Sequence, residues 1–233
     1  MKNLFQKTIL LSSILTASYF SSQAQVGTEI TLANNDVNYS GKISTDKTNQ
    51  DWLASTWNKG AVKLSNDSIY RNLDLIYDIA NNRPIFKSEN DKPQVFKLGV
   101  KEFSINLPTE TGRSNVKKFK NGFPSIAGGD ASTFYEVLSD GNATLLKKTQ
   151  IKIIDERPAG SIYSVKQKQK FYTYFIFLEN NKKIIEVKKD KKQLLSILEQ
   201  SKQQKLNSYI SENNLNLKKD DELSKLFDYY NTL

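Results

Sequence analysis

Phe134-Tyr135-Glu136-Val137-Leu138-Ser139-Asp140-Gly141, continuing through Asn142-Ala143-Thr144 into Leu145 to Ile154, is the stretch that decides the fold class. Two β-prone runs flank Asp140-Gly141, a pair suited to a tight turn because both residue types tolerate positive φ. The stretch therefore reads as a β-hairpin. Upstream of it, short apolar runs of the same kind recur. Gly60 to Leu64 alternates, and Leu73, Leu75 and Tyr77 share one side of the run ending at Asp78. Asn81-Asn82-Arg83-Pro84 then turns the chain into Ile85-Phe86, and Val95 to Leu98 and Val100 to Ile105 follow. Runs this short, with no helical period between them, predict an antiparallel meander. Pro108 to Asp130 holds Gly112, Asn121-Gly122, Pro124 and Gly128-Gly129 and reads as a long ordered loop.

Downstream of the hairpin, residues 161–233 contain neither Gly nor Pro. Phe171 to Leu178 is almost wholly aromatic or β-branched, and Asn180-Asn181 joins it to Lys183 to Val187, which predicts another strand pair. The period then changes. Leu194, Leu195, Ile197 and Leu198 form a helical stripe behind Asp190 as cap, and Leu206, Tyr209 and Ile210 form a second behind Ser201, with Gln204 for a capping box. Leu223, Leu226, Phe227 and Tyr230 recur at i, i+3, i+4 and i+7, with Asp220, Asp221 and Glu222 at the positive end of that helix. Such narrow stripes need a surface to dock on. The expected class is α+β: a mostly antiparallel β-meander or half-barrel with two or three C-terminal helices packed on it.

The amino terminus carries an export pattern. Lys2 and Lys7 precede an uncharged stretch from Thr8 to Phe20, and Ser22 and Ala24 supply the small-x-small site of signal peptidase. Ser12, Ser13, Thr16 and Ser18 interrupt the apolar residues, so the stretch is too short and polar to remain as a membrane span. The expected organisation is a signal peptide at 1–24, cleaved after Ala24, then a polar lead-in at 25–50 with room for one edge strand. An antiparallel β domain at 51–187 and a helical segment at 188–233 complete it. The destination is the periplasm or the extracellular space. The absence of cysteine rules out a lipidated amino terminus and disulfide staples alike, so the fold rests on its own core.

The sequence has 34 basic and 25 acidic residues, and removing Lys2 and Lys7 leaves 32 against 25. Residues 25–140 balance, so the excess sits in 141–233. An anionic partner is one reading; lysines on solvated faces are the plainer one. The absence of histidine as well as cysteine excludes Ser-His-Asp and Cys-His catalysis and the usual zinc, copper and haem sites. Carboxylate pairs drawn from Asp130, Glu136, Asp155 and Glu156 remain, although turn residues and solvated strand ends are the favoured account of them. Asp46-x-Thr48-x-x-Asp51 lacks the central glycine and closing glutamate of a calcium loop, and Gly128-Gly129-Asp130 lacks the lysine and helix of a phosphate loop.

One stripe is a candidate binding feature. If residues 165–175 are extended, Lys166, Lys168, Lys170, Tyr172 and Tyr174 share a face and offer ammonium groups and rings to an anionic polymer. The alternative is a solvated strand end whose tyrosines lie under the terminal helices.

Several separated blocks carry a resemblance. Ser132 to Gly141 with Leu145-Leu146-Lys147-Lys148, Trp57-x-x-Gly60-x-Val62-x-Leu64, Asn121-Gly122-Phe123-Pro124 and Asp228-Tyr229-Tyr230-Asn231-Thr232-Leu233 are spread along most of the chain. The sequence resembles an uncharacterised family of exported, signal-peptide-bearing proteins of the Bacteroidota. The resemblance implies export and a shared fold and carries no catalytic residues. The expected function is a non-enzymatic envelope protein, without cofactor or metal, binding a partner protein, a lipid or an anionic glycan. Intracellular nucleic acid and a transmembrane segment after cleavage are not expected. A structural, adhesive or stress-related envelope protein without a pocket is the alternative, and a carboxylate-dependent hydrolase comes third.

Overall fold

The computed structural model of the chain describes residues 37–38, 51–109, 114–157, 159–160 and 162–233. The strands are β1 (Val37–Asn38), β2 (Asn58–Leu64), β3 (Ile69–Asp78), β4 (Arg83–Lys87), β5 (Pro93–Phe96) and β6 (Val100–Pro108). They continue with β7 (Ser114–Lys120), β8 (Tyr135–Ser139), β9 (Ala143–Glu156), β10 (Val165–Leu178) and β11 (Lys183–Val187). Helices α1 (Lys191–Ile197), α2 (Gln203–Glu212) and α3 (Asp220–Thr232) follow, with a 3-10 turn at Gln200–Lys202 between the first two.

All the strands join one open antiparallel sheet in the order β1-β5-β4-β3-β2-β6-β7-β8-β9-β10-β11. The meander therefore comes in two runs. β2 to β5 grow the sheet one way, and the chain then returns so that β6 pairs with the other side of β2. Gly60 makes this return possible. A side chain there would overlap the Ser104 carbonyl oxygen and come within 2.7 Å of the Leu75 side chain.

Residues directly opposite each other in a sheet point to the same face. One such row runs Val62, Phe103, Phe119, Glu136, Lys147, Tyr174, Val187 across seven strands. At one end it belongs to an aromatic core, where Phe103 and Phe119 stack at 4.7 Å and Tyr77 and Phe134 pack on them. At the other end it lies under the helices, where Leu145, Ile176 and Val187 meet Leu194, Leu206 and the α3 stripe. Leu223, Leu226, Phe227 and Tyr230 are all buried, each contributing on the order of 2 kcal/mol. The reverse face carries a third cluster with Phe123, Tyr135, Leu146, Phe175 and Phe177.

The helix docks through polar contacts too. The Ser139 hydroxyl donates to Asp228 at 2.6 Å, and Asn231 exchanges bonds with the Ala143 N–H and carbonyl at 3.0 and 3.1 Å. Gly141, at φ 155°, lies where any side chain would strike Asn231. The hairpin turn thus needs its glycine for α3 as well as for its own backbone.

Three expectations are corrected. The stretch from Pro108 to Asp130 contains a strand, β7, whose core side offers only Phe119 beside Lys117, too little for a pattern to show. Arg83-Pro84 belongs to β4 rather than to the turn. α2 begins at Gln203 after the 3-10 turn with Lys202 at its cap position, so Ser201 and Gln204 do not form a capping box. Asp190 does cap α1, accepting the Gln193 N–H at 2.9 Å. Residues 1–24 lie outside the described residues, and of the lead-in before Asp51 only β1 is described, as the edge strand on β5. Among the described residues no helix is long and apolar enough to cross a membrane.

Candidate functional site

The site begins with a diversion of the chain before β8. Asp130 accepts the Ser132 N–H and hydroxyl at 2.9 and 2.7 Å, and its own N–H donates to the Thr133 hydroxyl at 2.9 Å. This closed turn meets Asn82, which holds the left-handed position of the β3–β4 turn at φ 51°. Asn tolerates that conformation because its short polar side chain bonds locally. Asn82 accepts the Phe134 N–H at 2.9 Å and the Tyr77 hydroxyl at 3.1 Å and donates to the Ser132 carbonyl at 2.9 Å. Residues 130–134 are thereby held against the β3–β4 turn.

The consequence falls on β9. β8 pairs with it only over Leu145–Lys147, whereas β10 pairs with it all the way to Glu156. Beyond Lys147, no strand pairs with the β8 side of β9 among the described residues. β11 likewise covers β10 only from Tyr174 to Leu178. Lys148–Glu156 and Val165–Thr173 therefore form a two-stranded ribbon. Ile153 and Val165 on it are 65% and 48% exposed, unusual values for such side chains on paired strands.

Between the ribbon, the β3–β4 turn and residues 130–134 lies a cleft of about 580 Å³. Tyr77, Ile79 and Phe134 give it one apolar wall, and Ile151 and Ile153 give it another. Asn82, Ser132, Lys148, Gln150 and Lys168 supply polar groups. Lining by the consecutive residues Lys148, Thr149, Gln150 and Ile151 means that the edge of β9, as well as its faces, borders the space. Burial lowers the pKa of Lys148, an effect that Asp130 partly offsets, and its ammonium bonds the Gly128 carbonyl. The Ser132 hydroxyl and N–H hold Asp130 below the usual carboxylate range. Burial, then the Asp78 charge, raises the pKa of the Tyr77 hydroxyl. Behind the loop, the Tyr135 hydroxyl is buried without a hydrogen-bond partner among the described residues, packed against Gly129.

The predicted stripe lies on β10, where Lys166, Lys168, Lys170, Tyr172 and Tyr174 share a face. Four of the five are engaged within the molecule. Lys168 meets both Asp51 carboxylate oxygens at 2.8 and 2.7 Å, and Lys170 donates to the Trp52 and Leu53 carbonyls at 2.6 and 3.1 Å. Burial lowers the Lys170 pKa. These bonds fasten residues 51–53, which also bond Tyr77 and Ile79, and so draw β3 and β10 towards each other. Lys166 is exposed opposite Asp155.

The two tyrosines belong to a polar junction between sheet and helices. Lys147 sits 4.4 Å over the Tyr172 ring and 2.7 Å from Asp220 at the start of α3. Asp220 also accepts from Tyr174 at 2.8 Å and Lys189 at 2.5 Å, while the buried Glu136 pairs with Lys117 and lies 4.0 Å from Lys147. Burial raises the Asp220 pKa, but the bonds from Lys147, Lys189 and Tyr174 outweigh it and hold the group at about 2. The sequence marked Asp220 only as a helix-terminal charge. Asn82 and Lys147 carried no signal beyond a turn asparagine and a strand lysine.

The four candidate carboxylates are dispersed. Asp130 closes its turn, Glu136 is neutralised by lysines, and Asp155 and Glu156 are exposed at the far end of the ribbon. Asp46 and Thr48 lie outside the described residues, and Asp51 pairs with Lys168. Among the described residues no group of three or more acidic side chains is arranged to hold a metal. No protein-family model matches the chain, and neither curated proteins nor solved structures show a significant similarity to it, so the cleft beside β9 stands on its geometry alone.

Proposed function

We propose that the protein is an exported, non-enzymatic envelope protein that holds a segment of a partner protein in the cleft beside β9. The carrying observation is the meeting of apolar walls, a polar rim and an uncovered strand edge in one concave space. Export rests on the pattern of residues 1–24, and the non-enzymatic reading on the dispersal of the four carboxylates. An anionic glycan or lipid on the β10 stripe is less favoured, because Lys168 and Lys170 already bind Asp51 and the Trp52 and Leu53 carbonyls.

Photo-crosslinking in exporting cells tests the reading. A crosslinker at Ser132 or Gln150 should trap the same discrete protein, which a crosslinker at exposed Ser211 on α2 should not. The purified partner should then bind the wild type and lose affinity for Ser132→Trp. Adducts equal at all three positions, or undiminished binding by the Trp variant, refute it. Amino-terminal sequencing of exported protein should start at Gln25.

A further inference from the structure

Deepening the proposed partner-binding role, on which this rests, we infer that the partner segment is an extended, acidic stretch of polypeptide that adds to β9 as a strand. The edge from Lys148 to Glu156, which no strand covers on the β8 side among the described residues, is a row of alternating N–H and carbonyl groups at strand spacing. Another extended backbone matches that row, whereas a sugar or a lipid headgroup matches at most one or two of its groups. The gap is also the natural continuation of β8, whose place beside Lys148 is vacated because Asn82 and Asp130 hold residues 130–134 elsewhere. An incoming strand beyond Lys147 would present alternate side chains to the apolar walls formed by Ile79, Ile151 and Phe134.

Charge selects the occupant. From Lys148 to Lys170 the chain has six basic residues and two acidic ones, and Asp51 and Asp130, which also line the cleft beside Lys168 and Lys148, offset two of the excess of four. A second copy of this chain is a less favourable occupant than an acidic segment. Antiparallel self-pairing over the whole of Lys148–Glu156 is centred on Lys152 and sets two copies of that lysine directly opposite each other, with Lys148 facing Glu156, whereas a shift of the centre to Gln150 opposes Lys148 to Lys152, and like charges directly opposed destabilise a sheet. Edge lysines of this kind discourage self-association, and a segment bearing Glu or Asp would turn the same charges to attraction.

The absence of cysteine makes the test clean. The exported protein with Gln150→Cys is mixed with synthetic peptides of about ten residues alternating glutamate and valine, each with one cysteine walked along it. Disulfide trapping should rise and fall with a period of two along the peptide, and hydrogen exchange from Lys148 to Ile154 should slow about tenfold. A lysine–valine peptide should bind about tenfold more weakly, with the difference shrinking as salt is raised. An N-methylated glutamate–valine peptide should not bind. Trapping without periodicity, or equal binding of the N-methylated peptide, overturns strand addition while leaving partner binding in the cleft intact. Equal affinity of the acidic and basic peptides overturns the charge selection. If no peptide binds and an anionic oligosaccharide slows exchange at the same amides, partner binding itself fails.

Discussion

Asp220 is the group whose removal reports most directly on how the helices are held. Its carboxylate takes bonds from Lys147, Lys189 and Tyr174, and its side chain is 30% exposed. A pKa held at about 2 against 3.8 for the free group means that the unfolded chain binds the proton more tightly. Stability from this source is therefore full above about pH 5 and is lost as pH falls towards 2. The shift corresponds to about 2.5 kcal/mol, which partial exposure reduces to roughly 1.5 kcal/mol. Asp220→Ala removes this and leaves the ammonium groups of Lys147 and Lys189 close together with Glu136 as the neighbouring countercharge. The total expected loss at pH 7 is about 2–3 kcal/mol, or a fall of about 5–10 °C in Tm for a domain of this size. Asp220→Asn, which keeps an acceptor for Tyr174, should lose about half as much. Urea denaturation of the protein at pH 7 and again near pH 2.5 measures both. At the lower pH the gap between wild type and Asp220→Ala should close to under about 1 kcal/mol. A loss at pH 7 below about 0.5 kcal/mol, or a gap indifferent to pH, refutes the assigned role of the network.

Asn82→Ala should cost about 2 kcal/mol, from three lost bonds and an unfavourable left-handed alanine, and should speed exchange of the Phe134 amide. Gly60→Ala should leave little folded protein, since the Ser104 carbonyl cannot move without disturbing the pairing of β2 with β6, whereas Gly122→Ala meets open space and should cost about 1 kcal/mol through its φ of 86°. Lys170→Met keeps the bulk but removes the donor to the Trp52 and Leu53 carbonyls; Trp52, buried in the wild type, should shift its emission to the red, and an unchanged spectrum would mean the clip does not hold that segment.

Two kinds of signal in the sequence fared differently. Where a strand or helix buries a side chain at every expected step, as α3 does with Leu223, Leu226, Phe227 and Tyr230, the period reads directly. Where the core side of a strand carries a charge, the period disappears. β7 was hidden because Lys117 occupies a core-facing position for the sake of Glu136, a partner 19 residues away. The return of the chain that pairs β6 with β2 was equally hidden, since alternation fixes which face a residue takes and says nothing of which strand lies beside it. The β10 stripe shows the same limit. Its shared face follows from spacing, but the partners of Lys168 and Lys170 lie more than 100 residues earlier in the chain.

The cleft owes its existence to that same non-local chemistry. The hairpin signal from Phe134 to Ile154 fixes where β8 and β9 meet, yet nothing in it dictates that their pairing should end after three residues of β9. It ends because a turn asparagine some 50 residues upstream captures the backbone on the β8 side. Two-stranded ribbons are marginal in water on their own, so the exposed half of β9 and β10 is held by its continuation into the covered half and by the Lys168 and Lys170 clip. If Asn82→Ala lets residues 130–134 zip onto β9, the variant would regain sheet hydrogen bonds while losing the cleft. Peptide binding should then fall further than stability does, and binding that survives with the β9 edge covered would sever the link between the diverted chain and the site.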